Sequence, residues 1–369
     1  MDIDYGTGGT ASCVLSPPFN CNGRNYNTDY ISKLVEDSSR NKLILENELR
    51  ISKYLIRKIN KATLEKYCAV VVDSCVVNSN QIKRCGKPLI PNTNYRVLYS
   101  KNGSCKPVSR KSKLFVKNNS NLKRKISVNN IKNNKIISNG KTYEKNNIVR
   151  LCGNLFVYEV IELCFSKKNI QISIRRLLNI LKLLQNNSVI HLDIKMENLV
   201  VNTKKEIRVI DFGGSIIYRD LNYLKTYSDF FDIINNFCRN NIYTWTSTEF
   251  SPEMHIIREL YKNNNIDRYD MFLKIKLILE KSIYVDKNRE NELITLINYI
   301  YDNKMAFITT FLLNNKESDI YKVDIYAIGI TLYFIFEKIL KKQYNIKIDI
   351  SRDNIHKLRI LKLYEFGEL

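Results

Sequence analysis

One run of the chain reads His191-Leu192-Asp193-Ile194-Lys195-Met196-Glu197-Asn198, and thirteen residues after Asn198 comes Asp211-Phe212-Gly213. These are the side-chain types that phosphoryl transfer requires. A carboxylate must take the proton of the attacking hydroxyl, a role open to Asp193. A cation must stand beside the transferring phosphate, as Lys195 can. An amide oxygen and a second carboxylate, Asn198 and Asp211, suit Mg2+ held across phosphates. Both runs end short apolar segments, Leu199-Val201 and Ile207-Ile210. A hairpin turning at Thr203-Lys204-Lys205-Glu206 would bring them together.

A second group of residues lies near the N-terminus. The stretch Gly6-Thr7-Gly8-Gly9-Thr10-Ala11-Ser12-Cys13-Val14 fits the pattern G-x-G-x-x-G-x-V in two registers. One keeps Gly6 and Gly8, with Ala11 as the third member; the other keeps Gly9 and Val14. In either, backbone amides could cap phosphate oxygens. Nineteen residues after Val14, Lys33 sits in the strand-like run Tyr30-Ile31-Ser32-Lys33-Leu34-Val35. The following helix offers two carboxylates. Glu48 falls on the apolar stripe Ile44, Ile51, Leu55, whereas Glu46 falls with Arg50, Lys53 and Arg57 on the polar one. A carboxylate on a buried face needs a partner, and Lys33 can be it.

The elements that must position these groups follow from the hydrophobic pattern. Residues 1 to 34 read as strands and turns, 43 to 59 as a helix, and Cys68 to Val77 as a buried strand. From Asn78 to Asn147 periodicity is lost among Asn, Lys and Ser, which predicts a partly disordered insertion. Leu155 to Tyr158 reads as a strand. Ile174, Leu177, Leu178, Leu181 and Leu184 predict an amphipathic helix that stops at Asn186-Asn187. Beyond Asp211 comes a long polar loop and then mostly helix. Strands first and helices later predict an α+β arrangement in two lobes, 1–162 and 163–369, with an extended helical segment at about 255–312.

With these residues in place, the chain resembles the eukaryotic-type protein kinases. H-x-D-x-K-x-x-N matches their catalytic loop and D-F-G their metal-binding loop. Ser251-Pro252-Glu253 looks like the A-P-E that closes an activation segment, and Asp324-Ile325-Tyr326-Ala327-Ile328-Gly329 like the D-x-x-x-x-G of the buried helix in the large lobe. The resemblance implies a bilobal fold, ATP and Mg2+ as cofactors, and a protein substrate. It also implies an aspartate, Asp324, that holds the catalytic loop from behind, and an arginine, Arg352 or Arg359, tied to Glu253. Lys195 two positions after Asp193 is the choice of serine/threonine kinases. Leu192 departs from the family, which carries arginine there to meet a phosphorylated activation loop; activity independent of that phosphorylation is therefore expected. The start Gly9, Cys13-Val14, Pro17-Pro18, Cys21, together with Asp73-Ser74-Cys75, is similar to kinases of large cytoplasmic DNA viruses. That implies a host-cytoplasmic or virion location. Two alternatives stay open: a small-molecule kinase of the aminoglycoside or choline type, and a non-catalytic kinase-like scaffold.

Charge narrows the partners. The chain has 59 Lys+Arg against 37 Asp+Glu, a net +22, but sixteen cations and no acid fall within residues 74 to 143, and the remainder carries +6. The basic run at 83–135 offers nucleic acid or an acidic protein a surface through counterion release. Aromatic residues within it are too few to stack many bases. Nine cysteines without a C-x-x-C pair predict reduced thiols in an intracellular protein. The longest uncharged apolar run, Ile325 to Phe336, is shorter than the roughly 20 residues of a membrane span.

Overall fold

The computed structural model describes residues 3–4, 11–16, 18–21, 23, 26–27, 30–82, 89–101, 114–116, 124–126, 131–132, 135–138, 141–144, 170–201, 206–241, 249–280, 287–313 and 319–344. The chain divides into two compact units, one of residues 1–43, 65–169 and 200–208, the other of 44–64, 170–199 and 209–369. The architecture is an α+β kinase-like fold, with a β-sheet N-terminal region and a mostly helical C-terminal part. Among the described residues, no helix is long and apolar enough to cross a membrane.

The first unit is built on an antiparallel sheet of β1 (Ile3–Asp4), β2 (Ala11–Ser16), β3 (Tyr30–Glu36), β4 (Val71–Asn78) and β5 (Asn94–Lys101), in the order β1-β2-β3-β5-β4. Strand β5 corrects the expected insertion at 78–147. Tyr95, Val97, Leu98 and Tyr99 are buried, and β5 pairs on both sides, Lys33 opposite Leu98 and Cys75 opposite Val97. Its apolar core is only five residues long and flanked by Asn, Ser and Lys, so composition hides it. Further along, β6 (Leu114–Val116) pairs with β7 (Arg124–Ile126), and β9 (Lys135–Ser138) joins β8 (Ile131–Lys132) to β10 (Lys141–Glu144). The expected strand at Leu155–Tyr158 lies outside the described residues.

The expectation of reduced thiols is also corrected, because Cys21 and Cys75 form a disulfide across a sequence separation of 54. It lies in an aromatic cluster. The Tyr99 hydroxyl donates to the Phe19 carbonyl at 2.8 Å, and Tyr26 stacks on Tyr99 while donating to Asp73 Oδ2 at 2.8 Å. Cys68 and Cys238 are free and buried, and burial pushes both thiols up, Cys68 to about 12.

Helix α1 (Ser39–Lys58) is capped by the Ser38 hydroxyl, which accepts from the Asn41 amide at 3.4 Å. It buries Leu45, Glu48, Ile51, Ser52 and Leu55, a stripe with a spacing of three and four. Leu45, not Ile44, is its first fully buried apolar member. In the second unit the helix Ile170–Asn186 ends where its sequence predicts, but its buried face is Ser173, Leu177, Ile180 and Leu184. Leu178, expected inside, is 38% exposed. The helices Phe230–Asn241, Pro252–Lys262, Arg268–Leu279 and Lys287–Asp302 then enclose one apolar cluster that includes Ile234, Phe237, Ile257, Ile275 and Ile297.

Candidate active site

The expected catalytic loop begins where strand Val189–Ile190 pairs antiparallel with strand Ile216–Ile217. Leu192 has φ +58, a conformation most non-glycine residues avoid. Two hydrogen bonds hold it. The His191 amide donates to Asp324 Oδ2 at 2.7 Å, and the Leu192 amide to Asp324 Oδ1 at 2.9 Å. Asp324 is buried at the start of the helix Lys322–Tyr344, so a single carboxylate binds two consecutive amides and holds the turn in this conformation. Burial pushes Asp324 up to about 6 against the pull of those two amides.

His191 is fully buried beneath the loop, its ring 4.8 Å from that of Phe212. Its Nε2 lies 3.0 Å from the Ile210 carbonyl, and its Nδ1 accepts from the Asp193 amide at 3.3 Å, which assigns the proton to Nε2. Burial lowers its pKa to about 4, so the ring is neutral and structural at ordinary pH. The Ser215 hydroxyl donates to the His191 carbonyl at 3.0 Å and ties the loop to the segment after Asp211.

The sequence-predicted groups Lys195 and Asn198 converge on Asp193. Lys195 Nζ donates to both of its carboxylate oxygens, at 2.8 and 2.9 Å. Asn198 Nδ2 donates to Oδ2 and to the Asp193 carbonyl, both at 2.8 Å. Burial raises Asp193 to about 6; the Lys195 ammonium and the Asn198 amide oppose that rise, while the Asp211 charge adds to it. For Lys195, burial works downward but is outweighed by Asp193, and the net direction is up. A carboxylate near 6 is mostly ionised at neutral pH yet basic enough to take a proton.

Asp211 stands in the left-handed region, φ 66 and ψ 73, at the mouth of the tight turn Phe212–Gly214. Strands Leu199–Val201 and Ile207–Val209 pair as the hairpin expected from sequence, and the Ile210 amide donates to the Asn198 carbonyl at 3.0 Å. Asn198 and Asp211 are therefore brought together, and the Asp211 charge reaches Asp193, Lys195 and His191. Asn198 directs its nitrogen at Asp193, so its Oδ1 is the atom offered to a cation. Among the described residues no group of three or more His, Cys, Asp or Glu could hold a metal. Two oxygens, Asn198 Oδ1 and a carboxylate of Asp211, suit Mg2+, which keeps waters and phosphate oxygens as its other ligands.

The remaining sequence-predicted residues are placed as follows. Glu48 is 5% exposed and Glu46 is on the outside of α1. Lys33 lies on the third strand of the sheet unit, opposite Val14. Gly6, Gly8 and Gly9 lie outside the described residues, as do Arg352 and Arg359. Ser251 and Pro252 open the helix Pro252–Lys262, with proline in its first turn. Sequence reasoning missed Asn47 and Ser215. Nothing in their neighbours' spacing marks them, since their roles lie in hydrogen bonds to distant backbone.

Residues 100–230 match the family model described as the protein kinase domain. The resemblance is to the protein kinases. The chain is similar to the probable serine/threonine-protein kinase MARK-B of Dictyostelium discoideum, 27% identical over 42% of this chain and 21% of that one. It is also similar to protein kinase kin1 of Schizosaccharomyces pombe, 39% identical over 15% of this chain and 6% of that protein. The gamma catalytic chain of phosphorylase b kinase, liver/testis isoform, of Bos taurus is 36% identical over 17% of this chain and 16% of its own. The chain thus spans about a fifth or less of the length of these relatives. The kinase match includes the whole run from His191 to Gly213, the segment that carries Asp193, Lys195, Asn198 and Asp211.

Proposed function

We propose that this protein is a serine/threonine protein kinase that moves the γ-phosphoryl group of ATP to protein hydroxyls. The observation that carries the reading is the Asp193 carboxylate, gripped by Lys195 and Asn198 and raised to about 6 beside Asp211. Asp193 accepts the proton of the incoming alcohol, whose oxygen bonds the γ-phosphorus as the bond to the β-phosphate oxygen breaks. Lys195 offsets negative charge on the transferring group. Mg2+, when bound, neutralises phosphate charge, with Asn198 and Asp211 as its protein ligands. By the resemblance to protein kinases, Lys33 and the glycine stretch at 6–9 would serve the nucleotide phosphates, and Glu48 would be the carboxylate that answers Lys33.

Three finer readings belong to the same proposal. Activity does not depend on activation-loop phosphorylation, because Leu192 replaces the arginine that would answer a phosphate. The protein is viral, a reading supported by the Gly9–Cys21 pattern and Asp73-Ser74-Cys75. The basic run at 83–135 takes an acidic partner or nucleic acid, a reading supported by its charge alone.

The test is transfer of label from γ-labelled ATP with Mg2+ to a basic and an acidic protein acceptor, run beside Asp193→Ala and Asp211→Ala. Label in wild type that is lost in both variants is the expected result. Equal label in all three overturns the proposal, and activity lost after phosphatase treatment overturns its independence from phosphorylation.

A further inference from the structure

We infer that Asn47 is a positioning residue that holds the Asp211 loop in its working conformation. Its side-chain amide has two N–H donors, and both are spent on one short turn. Nδ2 donates to the Gly213 carbonyl and to the Ser215 carbonyl, each at 2.8 Å, across 166 and 168 residues of chain. The orientation of the amide is assigned by its other end, where Arg50 donates to Asn47 Oδ1 at 3.0 Å. An oxygen so engaged cannot face the two carbonyls. Arg50 also pairs with Asp220, so α1 grips both ends of the segment 213–220.

The turn needs such an anchor. Phe212–Gly214 is a single turn closed by one long bond, Ser215 amide to Phe212 carbonyl at 3.2 Å. It begins at Asp211, a non-glycine residue in the left-handed region. Left to itself, a segment with so little internal bonding would sample other conformations and take Asp211 with it. Asn47 fixes two carbonyls within the three residues that follow Phe212. Ser215, bonded to the His191 carbonyl, passes the constraint to the loop of Asp193. One amide thereby couples α1, the metal-binding loop and the catalytic loop with unmodified side chains and no phosphate. The inference rests on the proposed kinase reading for its effect on rate, but the clamp itself is measurable without activity.

The experiment compares wild type with Asn47→Ala, Asn47→Leu and Asn47→Gln. Leucine keeps nearly the shape and loses both donors; glutamine restores the donors on an arm one methylene longer. Losing two neutral hydrogen bonds is expected to lower kcat about 30-fold in the first two variants. KM for the protein acceptor stays within about twofold. Asn47→Gln recovers part of the loss, and amide hydrogen exchange across residues 211–217 speeds up in Asn47→Ala and Asn47→Leu. Wild-type kcat and exchange in both variants overturn the clamp, and so does an equal loss in all three with raised KM, which would mark general destabilisation. A wild type that transfers no phosphate overturns the kinase reading instead, and the exchange data then decide the clamp alone.

Discussion

Gly213→Ala tests the packing that places the Asp211 loop against α1. A Cβ built at this position would lie 2.6 Å from Ile44 Cγ2, 3.4 Å from Asp211 Oδ1 and 3.6 Å from the Ile44 carbonyl. Carbon atoms in contact prefer about 3.5–4.0 Å, so the first contact is short by about 1 Å. Ile44 cannot swing away, because Cγ2 is attached at its Cβ and a β-branched side chain within a helix has one strongly preferred χ1. The helix or the loop must move. Gly213 is outside the left-handed region, so alanine brings no backbone strain, and without the clash it would stabilise by about 0.4–1 kcal/mol through the unfolded chain. With it, overpacking reverses the sign, and we expect a loss of about 1–3 kcal/mol. If the loop yields, Asp211 is displaced by a good fraction of 1 Å and kcat/KM falls by about 100-fold. Ile44→Ala removes the offending methyl, so the double variant should recover about 1–2 kcal/mol relative to the sum of the singles. Urea denaturation of the four proteins, with kcat/KM for each, reads both numbers. A Gly213→Ala protein as stable and active as wild type, or a strictly additive double variant, would refute the reasoning.

Four further outcomes follow from the site and the sheet. Asp193 must be ionised to act, so kcat/KM falls as pH drops through about 6; Lys195→Met removes the charge that opposes the rise and moves that acid limb upward, and a limb that stays in place contradicts the assignment. The same raised values in Asp193 and Asp324 mean that their protonated forms favour the fold below the ordinary carboxylate pKa near 4, an advantage lost as pH rises through about 6. Asp324→Ala strands the two buried amides of His191 and Leu192 and costs about 2–6 kcal/mol by chemical denaturation; Asp324→Asn, which keeps one acceptor oxygen, costs less. Replacing Cys21 and Cys75 together by serine opens a loop with a sequence separation of 54 and lowers stability by up to about 4 kcal/mol; no difference from wild type under oxidising conditions would show that the bridge does not form in solution.

Features carried by neighbouring residues were legible in the sequence. The run from His191 to Asn198 and the Asp211 motif announced their chemistry because they are local, and the polar turn between their flanking strands predicted the hairpin that joins them. The choice of Glu48 over Glu46 as the buried carboxylate followed from helical spacing, which depends only on 3.6 residues per turn. The phase of a helix is less secure when apolar residues cover much of its surface. In Ile170–Asn186, Leu178 and Ile180 compete for the interior, and the neighbours that admit Ile180 are not encoded in the helix itself. Strand β5 was hidden for a related reason: its four apolar or aromatic residues, Tyr95, Val97, Leu98 and Tyr99, are a short island within a basic, Asn-rich region, and two flanking strands, not its own composition, hold it in place.

By itself, then, the sequence determined the α+β class and singled out the candidate reacting groups, both of which depend on residue type and short-range periodicity. Only the tertiary structure decided that Asp324 binds the amides of His191 and Leu192 from more than a hundred residues away, that Asn47 reaches the carbonyls of Gly213 and Ser215, and that Cys21 meets Cys75. A hydrogen bond or disulfide exists only where the returning chain brings two atoms within about 3 Å, and that meeting is a property of the whole packed fold, invisible in the spacing of either partner's neighbours.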